Sequence, residues 1–338
     1  MRKLHRLAQI YSKSGVESFV RKLRNQAVSG IPVLAYHRVL DVKTSYHFDK
    51  DLISSSIAAF DMQMKYISKY YLALSMEEYI YYINHPEKLP RKAILVTFDD
   101  GFSDNYQYAF PILRKYSVPA TFFVTTDFID SDETIWYERL AYFFNVTKVD
   151  KLEFSDYSID IYDNDKFSSY QKFIEHLKLL PNHTRIAMLD GLYEKYGDPY
   201  TSVQTESILS QSMSWEQLME MQSCNMDIES HTVTHPVLST LNKQELKLEL
   251  SRSKQIIENK LNKKVKSIAY PVGQGESFSD EVIRETIESG YEIAFNYIDS
   301  VCKFSNINEF SISRLHVEND TTFDLFKSKI SLPELFCE

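Results

Sequence analysis

Two short motifs carry side chains that could do chemistry together. Asp99 and Asp100 stand side by side directly after a strand-like run, and Gly101 lets the backbone turn there. Far along the chain, His231 and His235 are four residues apart and again follow a strand-like run. One aspartate and two histidines suffice to hold a zinc-type ion that keeps an open position, and the second aspartate is then free to act as a base. Either motif alone is commonly a surface turn or a structural histidine pair, but together they predict a metal-dependent hydrolase.

Strand-like and helix-like segments alternate along most of the chain. The predicted strands are Ile31–Tyr36, Ala93–Phe98, Ala120–Thr125, Met226–Glu229, Ser267–Tyr270, Glu292–Asn296 and Phe310–Leu315. The predicted helices are Phe60–Tyr70, Asn105–Tyr116, Lys243–Leu261 and Asp280–Ser289, with Asn242 as the N-cap of the third. This alternation predicts an α/β fold with a parallel sheet, either a closed barrel or a doubly wound open sheet.

The polar residues of interest follow the predicted strands. They are His37, Asp99, Asp100, His231, His235 and His316. In a β/α barrel the loops at the carboxyl ends of all the strands converge on one site, whereas an open sheet gathers its ligands at a single switch point. Because at least four strands contribute, the pattern favours a barrel.

The alternation breaks between about residues 127 and 213. This stretch is rich in Tyr, Phe, Asp and Lys and has a helix-like middle at 167–180. We predict a mainly helical subdomain inserted into a β/α barrel of the seven predicted strands that spans 31–330. The insert leaves the scaffold after the carboxyl end of a strand, which favours a wall or lid on the site over a peripheral elaboration.

Composition limits the classes of partner. The net charge of −9 argues against nucleic acid, because phosphate binding needs a basic surface. No apolar stretch approaches the ~18 residues that a membrane-spanning helix needs. Residues 1–30 form a predicted amphipathic extension, either packed on the domain or in peripheral contact with a membrane. Three cysteines without redox or metal spacing, and no export signal, predict a cytoplasmic protein, with the inner membrane face as an alternative location.

Several motifs resemble one known family, the polysaccharide deacetylases with a NodB-type domain, also called carbohydrate esterase family 4. The resemblance rests on Thr97-Phe-Asp-Asp-Gly101 and His231-Thr-Val-Thr-His235, supported by Leu34-Ala-Tyr-His-Arg-Val39 and Pro119-Ala-Thr-Phe-Phe-Val124. It implies a distorted, seven-stranded barrel and a carbohydrate substrate. It further implies that the metal is divalent, with zinc as the first candidate and cobalt, nickel or iron as alternatives. The implied ligands are Asp100, His231 and His235, and Asp99 is the implied general base.

The third motif of the family is altered in this chain. Many members carry an arginine there that pairs with the catalytic aspartate, but here Ala269 takes its place and Val272 replaces an aromatic residue. Arg38 and Arg314, each at a strand end, are candidates to replace the missing arginine, and for each of them a structural ion-pair role is an equal alternative. The resemblance also implies a late histidine as general acid, for which His316 is the candidate.

The remaining candidate residues would bind substrate. They are His37, Tyr270, Pro271, Val272 and Gly273. The sequence therefore predicts a metal-dependent N-deacetylase that acts on an N-acetylated sugar in a polysaccharide, an oligosaccharide or a glycan precursor. A non-catalytic carbohydrate-binding member of the family and an amidohydrolase with a non-sugar substrate are the alternatives. The sequence leaves the oligomeric state open.

Overall fold

Seven parallel strands close into a barrel in the computed structural model, which describes residues 2–24, 30–42, 46–202 and 211–337. The strands are β1 (Val33–Tyr36), β2 (Arg38–Val39), β3 (Ile53–Ser55), β4 (Leu72–Ala73), β5 (Ala93–Phe98), β6 (Ala120–Val124), β7 (Lys151–Glu153), β8 (Ser158–Asp160), β9 (Met226–Ser230), β10 (Ser267–Ala269), β11 (Ile293–Asp299) and β12 (Ile312–His316). Neighbours in the barrel follow the order β1-β12-β11-β10-β9-β6-β5, and β5 pairs again with β1. The carboxyl ends of all seven strands therefore meet at one rim.

Helices cover the outside of the barrel and build the insert. They are α1 (Arg2–Lys13), α2 (Val16–Leu23), α3 (Ile57–Tyr70), α4 (Met76–Asn84), α5 (Phe110–Tyr116), α6 (Trp136–Val146), α7 (Lys166–Leu179), α8 (Asn182–Tyr196), α9 (Trp215–Ser223), α10 (Lys243–Leu261), α11 (Asp280–Glu288), α12 (Phe323–Ser331) and α13 (Pro333–Phe336). All six residues of β5 are buried, because one face lines the barrel interior and the other lies under helices. On the outer, helix-covered face of the barrel the rings of Phe98 and Phe122 stack with their centroids 4.7 Å apart, and Phe98 also contacts Phe60 of α3.

The predicted barrel is confirmed, and each of the seven predicted strands contributes one barrel strand. The boundaries differ by up to three residues. The first strand begins at Val33, after Pro32, which lacks the N–H that a sheet ladder needs. The N-cap is also confirmed, because the Asn242 side chain accepts from the N–H groups of Gln244 and Glu245, both at 3.0 Å.

The insert contains helices α6, α7 and α8 and has an apolar cluster of its own. Buried aromatic residues of this cluster include Phe143, Phe144, Tyr170 and Phe173. The sequence analysis did not predict the antiparallel hairpin β7–β8, because each of its strands has three residues and buries one. Residues 203–210, near the predicted end of the insert, lie outside the described residues.

A buried charge network joins the insert to the barrel. The Arg38 guanidinium on β2 donates to Asp104 at 2.9 Å and to Glu138 of α6 at 3.0 Å. The second oxygen of Glu138 accepts the Asp49 N–H at 2.8 Å. All three charged groups of the network are fully or almost fully buried, so each depends on the others for compensation.

The predicted N-terminal extension is divided into two helices. Gly15, at a φ of 81°, separates α1 from α2. Ala8 on α1 is buried with Leu325 of α12 and Phe336 of α13, so the extension packs on the barrel domain. Residues 25–29 lie outside the described residues. None of the described helices is both long and apolar enough to cross a membrane.

Replacing Glu138 by Ala should strongly destabilise the protein. The change leaves the Asp49 N–H without its acceptor and leaves Arg38 with Asp104 as its only buried carboxylate partner, which costs ~1–3 kcal/mol of unfolding free energy. Urea unfolding followed by circular dichroism measures this. The matched control is Glu153→Ala, which breaks an exposed ion pair with Lys151 and should leave the unfolding midpoint unchanged. Equal midpoints for the two variants would contradict the structural role of the network.

Candidate functional site

The first motif is a tight turn at the end of β5. Asp100 has a φ of 80°, a left-handed conformation that is strained for a residue other than glycine. Backbone hydrogen bonds hold this turn, because the Asp99 N–H donates to Tyr36 O and the Asp100 carbonyl accepts from the Thr125 N–H. Gly101 has a φ of 103°, a left-handed conformation that favours glycine, and an added Cβ would also lie 2.7 Å from Ile129 Cδ1. The turn directs two adjacent carboxylates into the barrel mouth.

The second motif is a loop after β9 that forms hydrogen bonds with a side chain of helix α10. Thr232 and His235 have φ values of 71° and 57°, so this loop is strained as well. The Glu249 carboxylate of α10 accepts from the N–H groups of Val233 and Thr234, at 2.7 and 3.0 Å. The sequence analysis did not identify Glu249 as a support of this motif, because no local pattern connects a surface of α10 with a loop 15 residues earlier.

Asp100, His231 and His235 come together as a candidate metal site. The Nε2 atoms of both histidines lie 3.5 Å from Asp100 Oδ1. His231 Nδ1 lies 2.8 Å from the Ala269 carbonyl oxygen, which can only accept, so the neutral ring donates there and keeps its lone pair on Nε2. Trp136 of the insert donates its indole N–H to the carbonyl of His235 at 3.0 Å. This is a ligand set of the kind that zinc prefers.

The protonation states and the missing partners in the site fit a cation. Burial raises the pKa of the Asp100 carboxyl, but the neighbouring imidazoles, His231 foremost, outweigh burial and hold the pKa well below its usual range. Burial and the adjacent His231 lower the pKa of His235 to about 3, so its ring is neutral. Among the described residues, neither carboxylate oxygen of Asp100 has a hydrogen-bond partner, although both are buried. A buried, ionised carboxylate without a hydrogen-bond partner that faces two imidazole nitrogens is a favourable place for a positive ion.

Asp99 is paired with Arg314. The guanidinium binds the carboxylate through two parallel hydrogen bonds of 2.7 Å each. Burial raises the pKa of Asp99, but the Arg314 charge outweighs it and holds the pKa below its usual range. Arg314 is itself oriented by the carbonyl of Asn296 at 2.9 Å. Asp99 is therefore a carboxylate that stays ionised next to a second carboxylate.

This pairing distinguishes the two arginines that the sequence analysis proposed as replacements. Arg314 reaches Asp99, whereas Arg38 is bound to Asp104 and Glu138 in the network beneath the insert. The bond crosses from the last barrel strand, β12, to the end of β5. Ala269 keeps a role in the site, but through its carbonyl oxygen on His231 instead of through a side chain.

A cavity of about 770 Å³ opens over these residues. Asp99, Asp100, His231, His235 and Arg314 all line its floor. His37 lies at the same depth, with Nε2 3.8 Å from Asp99 Oδ2, and its ring contacts Tyr297 edge to face. The predicted site residues from the first two motifs thus share one cavity.

The insert forms one wall of this cavity. Trp136, Tyr137 and Tyr170 line it, together with residues of the loop that contains Asp49 and Asp51. The Tyr170 hydroxyl donates to Asp49 at 2.7 Å, which fixes helix α7 against that loop. The wall predicted from the position of the insert is therefore present, but its individual residues were not predicted because no motif marks them.

The third motif supplies both cavity lining and support. Tyr270 and Val272 line the cavity, and Pro271 and Gly273 are not among its lining residues. Gly273 packs against the backbone of Tyr297, where an added Cβ would lie 2.6 Å from the Tyr297 nitrogen. Val272 has a φ of 63°, which is unusual for a β-branched residue.

His316 is not among the residues that line the cavity over Asp99 and Asp100. Its ring stacks on Tyr297 with the centroids 3.7 Å apart and lines a separate side cavity of about 400 Å³. Burial is the main cause that lowers the pKa of His316, to about 4. The structure thus does not bring this predicted general acid together with Asp99, whereas it does bring His37 there.

Comparison with known proteins gives one family. The family model described as "Polysaccharide deacetylase" matches residues 87–149 and 162–294, which is more than half of the chain. "Putative polysaccharide deacetylase YxkH" of Bacillus subtilis (strain 168) is 23% identical over 272 residues, which cover 80% of this chain and 66% of that protein. "Poly-beta-1,6-N-acetyl-D-glucosamine N-deacetylase" of Staphylococcus aureus (strain MSSA476) is 29% identical over 121 residues, or 33% of this chain and 41% of that protein. The chain thus spans less than two thirds of the length of either relative.

Solved structures share the fold. The Streptococcus pyogenes deacetylase PplD, in complex with acetate, superposes with a TM-score of 0.58 at 21% identity, covering 86% of this chain and 94% of that one. BC0361, a polysaccharide deacetylase from Bacillus cereus, has a TM-score of 0.57 at 23% identity and covers 89% of this chain and 68% of that one.

The candidate metal site should be testable by binding alone. We expect equilibrium dialysis of the wild-type chain to give about one zinc or cobalt ion per molecule, because the site offers three protein ligands. His231→Ala and Asp100→Asn should each lose most of the bound metal, since two ligands hold an ion poorly. Asp99→Asn is the matched control one residue away and should keep it. Metal retention by His231→Ala would contradict the ligand assignment.

Proposed function

Because the chain belongs to the polysaccharide deacetylase family, we propose that it is a metal-dependent enzyme that removes N-acetyl groups from an N-acetylated sugar. The observation that carries this proposal is the division of the adjacent carboxylates. Asp100 faces two imidazole nitrogens, whereas Asp99 is held ionised by Arg314 in the same cavity. One group is thus suited to bind a metal and the other to accept a proton.

The metal ligands in this proposal are Asp100, His231 and His235. A divalent ion held there would polarise the acetamide carbonyl and make the attacking water more acidic. Zinc is the first candidate, because a carboxylate and two imidazoles suit it, and cobalt, nickel and iron share these ligand types.

Asp99 acts as the general base. Its carboxylate takes a proton from the water whose oxygen attacks the acetamide carbon. Arg314 binds both carboxylate oxygens and so fixes the orientation of the base, and each oxygen keeps a second lone pair for the proton. The backbone N–H of Val272, which makes no hydrogen bond among the described residues, is the available donor on the third motif for the oxygen that becomes negative.

The leaving amine also needs a proton. When the C–N bond of the acetamide breaks, the sugar nitrogen takes up a proton. The acetyl group leaves as acetate, whose second oxygen comes from the attacking water. His37 is the best-placed donor, because it lies in the cavity beside Asp99, and we assign it this role in place of His316.

The cavity favours a carbohydrate of a few sugar units. Its volume is in the range of ligand sites, and Trp136, Tyr137 and Tyr170 offer aromatic surface on the insert side. The S. aureus relative is named for poly-β-1,6-N-acetyl-D-glucosamine, which makes oligosaccharides of that polymer the first substrates to test. The non-catalytic alternative rests on Ala269 and Val272 in the altered third motif, and the Asp99–Arg314 pair argues against the first of these two grounds.

The first functional prediction concerns the base. Zinc- or cobalt-loaded protein should release acetate from oligomers of β-1,6-linked N-acetylglucosamine, measured by an enzyme-coupled acetate assay. Asp99→Asn should lower kcat by ~10²–10⁴-fold, because it removes a general base and keeps the side-chain shape. Metal content is measured on the same samples. Full turnover in Asp99→Asn would refute the role, and metal-loaded wild type without acetate release from any N-acetylated sugar would favour a binding protein or a non-sugar amide substrate.

The second functional prediction compares two histidines. His37→Gln should lower kcat by ~10²–10⁴-fold if the ring protonates the leaving amine. His316→Gln is the matched control, because it lies behind Tyr297, and it should change kcat by less than roughly tenfold. The reverse order of effects would show that His316, and not His37, is the general acid.

A further inference from the structure

Helix α2 has its polar and apolar faces reversed. Glu17 and Arg21 are buried at 6% and 7% exposure, whereas Phe19 and Leu23 are 63% and 66% exposed. Val16 is exposed on the same helix. A helix on a water-soluble surface normally turns apolar residues inward, so this arrangement is unfavourable in water unless the outer face has a partner.

The reversal is a fixed feature of the packing. Arg21 donates to Glu17 at 2.8 Å, and Glu17 also accepts from the Tyr66 hydroxyl of α3 at 2.6 Å. Just after α2, Arg24 binds both oxygens of Glu334 at 3.0 and 2.9 Å. These contacts hold the charged side of α2 against the domain and therefore keep the apolar side outward.

Helix α1 continues the exposed apolar surface and adds positive charge. Leu7 and Ile10 are exposed at 49% and 60%, and the basic residues Lys3, Arg6 and Lys13 are exposed on the same helix. Residues 2–24 contain seven Lys or Arg residues and one acidic residue, whereas the whole chain carries a net charge of −9. The exposed apolar surface thus coincides with a strongly basic segment of an acidic protein.

We propose that α1 and α2, here called the N-terminal helix pair, bind the surface of an anionic phospholipid bilayer. The exposed apolar side chains would enter the boundary between head groups and acyl chains, while the lysines and arginine contact lipid phosphates. Charge selects this partner. A second copy of the chain would bring two equally basic surfaces together, whereas an anionic bilayer is complementary to both the apolar and the basic residues.

The helix pair lies beside the cavity that contains Asp99 and Asp100, here called the catalytic cavity. Leu4 and His5 line the side cavity, and Gln274, Tyr297 and Glu318 line both cavities. A membrane-bound helix pair would hold the catalytic cavity close to the lipid head groups. In combination with the proposed function, on which this step rests, the substrate class is an N-acetylated glycan attached to the membrane.

Flotation of the full chain with lipid vesicles tests the membrane surface directly. We expect binding to vesicles of phosphatidylglycerol and phosphatidylcholine, weaker binding to phosphatidylcholine alone, and loss of binding in high salt. Phe19→Asp combined with Leu23→Asp should weaken binding roughly tenfold or more, because both side chains lose their apolar contact. Leu248→Asp, at a residue of α10 that is 54% exposed, is the matched control and should bind like the wild type.

A charge-reversal variant keeps the test valid if the apolar variant folds poorly. Lys13→Glu combined with Lys22→Glu changes only exposed side chains and should also reduce binding to anionic vesicles. Absence of wild-type flotation with anionic vesicles would overturn the proposal, as would equal flotation of the wild type and both double variants. Analytical ultracentrifugation adds a further outcome, since a dimer that Phe19→Asp/Leu23→Asp dissociates would show that the surface binds a second copy instead.

Activity separates this inference from the proposed function. Flotation needs no catalysis, so Asp99→Asn should bind vesicles as well as the wild type. On soluble oligosaccharides, Phe19→Asp/Leu23→Asp should match the wild type, because the helix pair is outside the catalytic cavity. On a synthetic lipid that carries N-acetylglucosamine in vesicles, the same variant should release acetate more slowly. Equal rates on that lipid would contradict the membrane-attached substrate and leave the lipid-binding result intact.

Discussion

The bidentate ion pair between Asp99 and Arg314 is the constraint on which the site depends. Two adjacent carboxylates in a buried turn repel each other, and without compensation one of them would take up a proton. Arg314 compensates the charge of Asp99 through two hydrogen bonds of 2.7 Å. Asp100 instead faces His231 and His235, with which it forms the candidate metal site. The pair therefore creates the asymmetry that, in the proposed function, separates proton transfer from metal binding.

The barrel supplies the geometry for this asymmetry. Asp99 lies at the end of β5 and Arg314 on β12, so their contact exists only because the strands close into a ring in which β1 lies between them. Strained backbone at Asp100, Thr232 and His235 marks the same rim, and buried hydrogen bonds hold these conformations in place. Strain of this kind persists where the surrounding structure determines the conformation and is common at functional sites.

The sequence predicted what is local in the chain and missed what depends on closure of the barrel. Asp100 and His235 were identifiable because a strand-like run and a short motif mark each one. Glu249 and Trp136 were not, because they reach the histidine loop from other elements, and no spacing in the chain records that approach. The stacking of His316 on Tyr297, and its place in the side cavity, could not be predicted either, because that contact joins two neighbouring strands.

The most direct test of the account is the pH dependence of kcat/KM in the wild type, Arg314→Gln and Arg314→Lys, each with its metal content measured. Arg314 keeps the Asp99 pKa below its usual range, and the base works only when ionised, so activity should fall on acidification. Removing the guanidinium raises that pKa. The account predicts that the acid limb moves to higher pH in Arg314→Gln and moves less in Arg314→Lys, with metal content unchanged. An acid limb that stays in place in Arg314→Gln would contradict it.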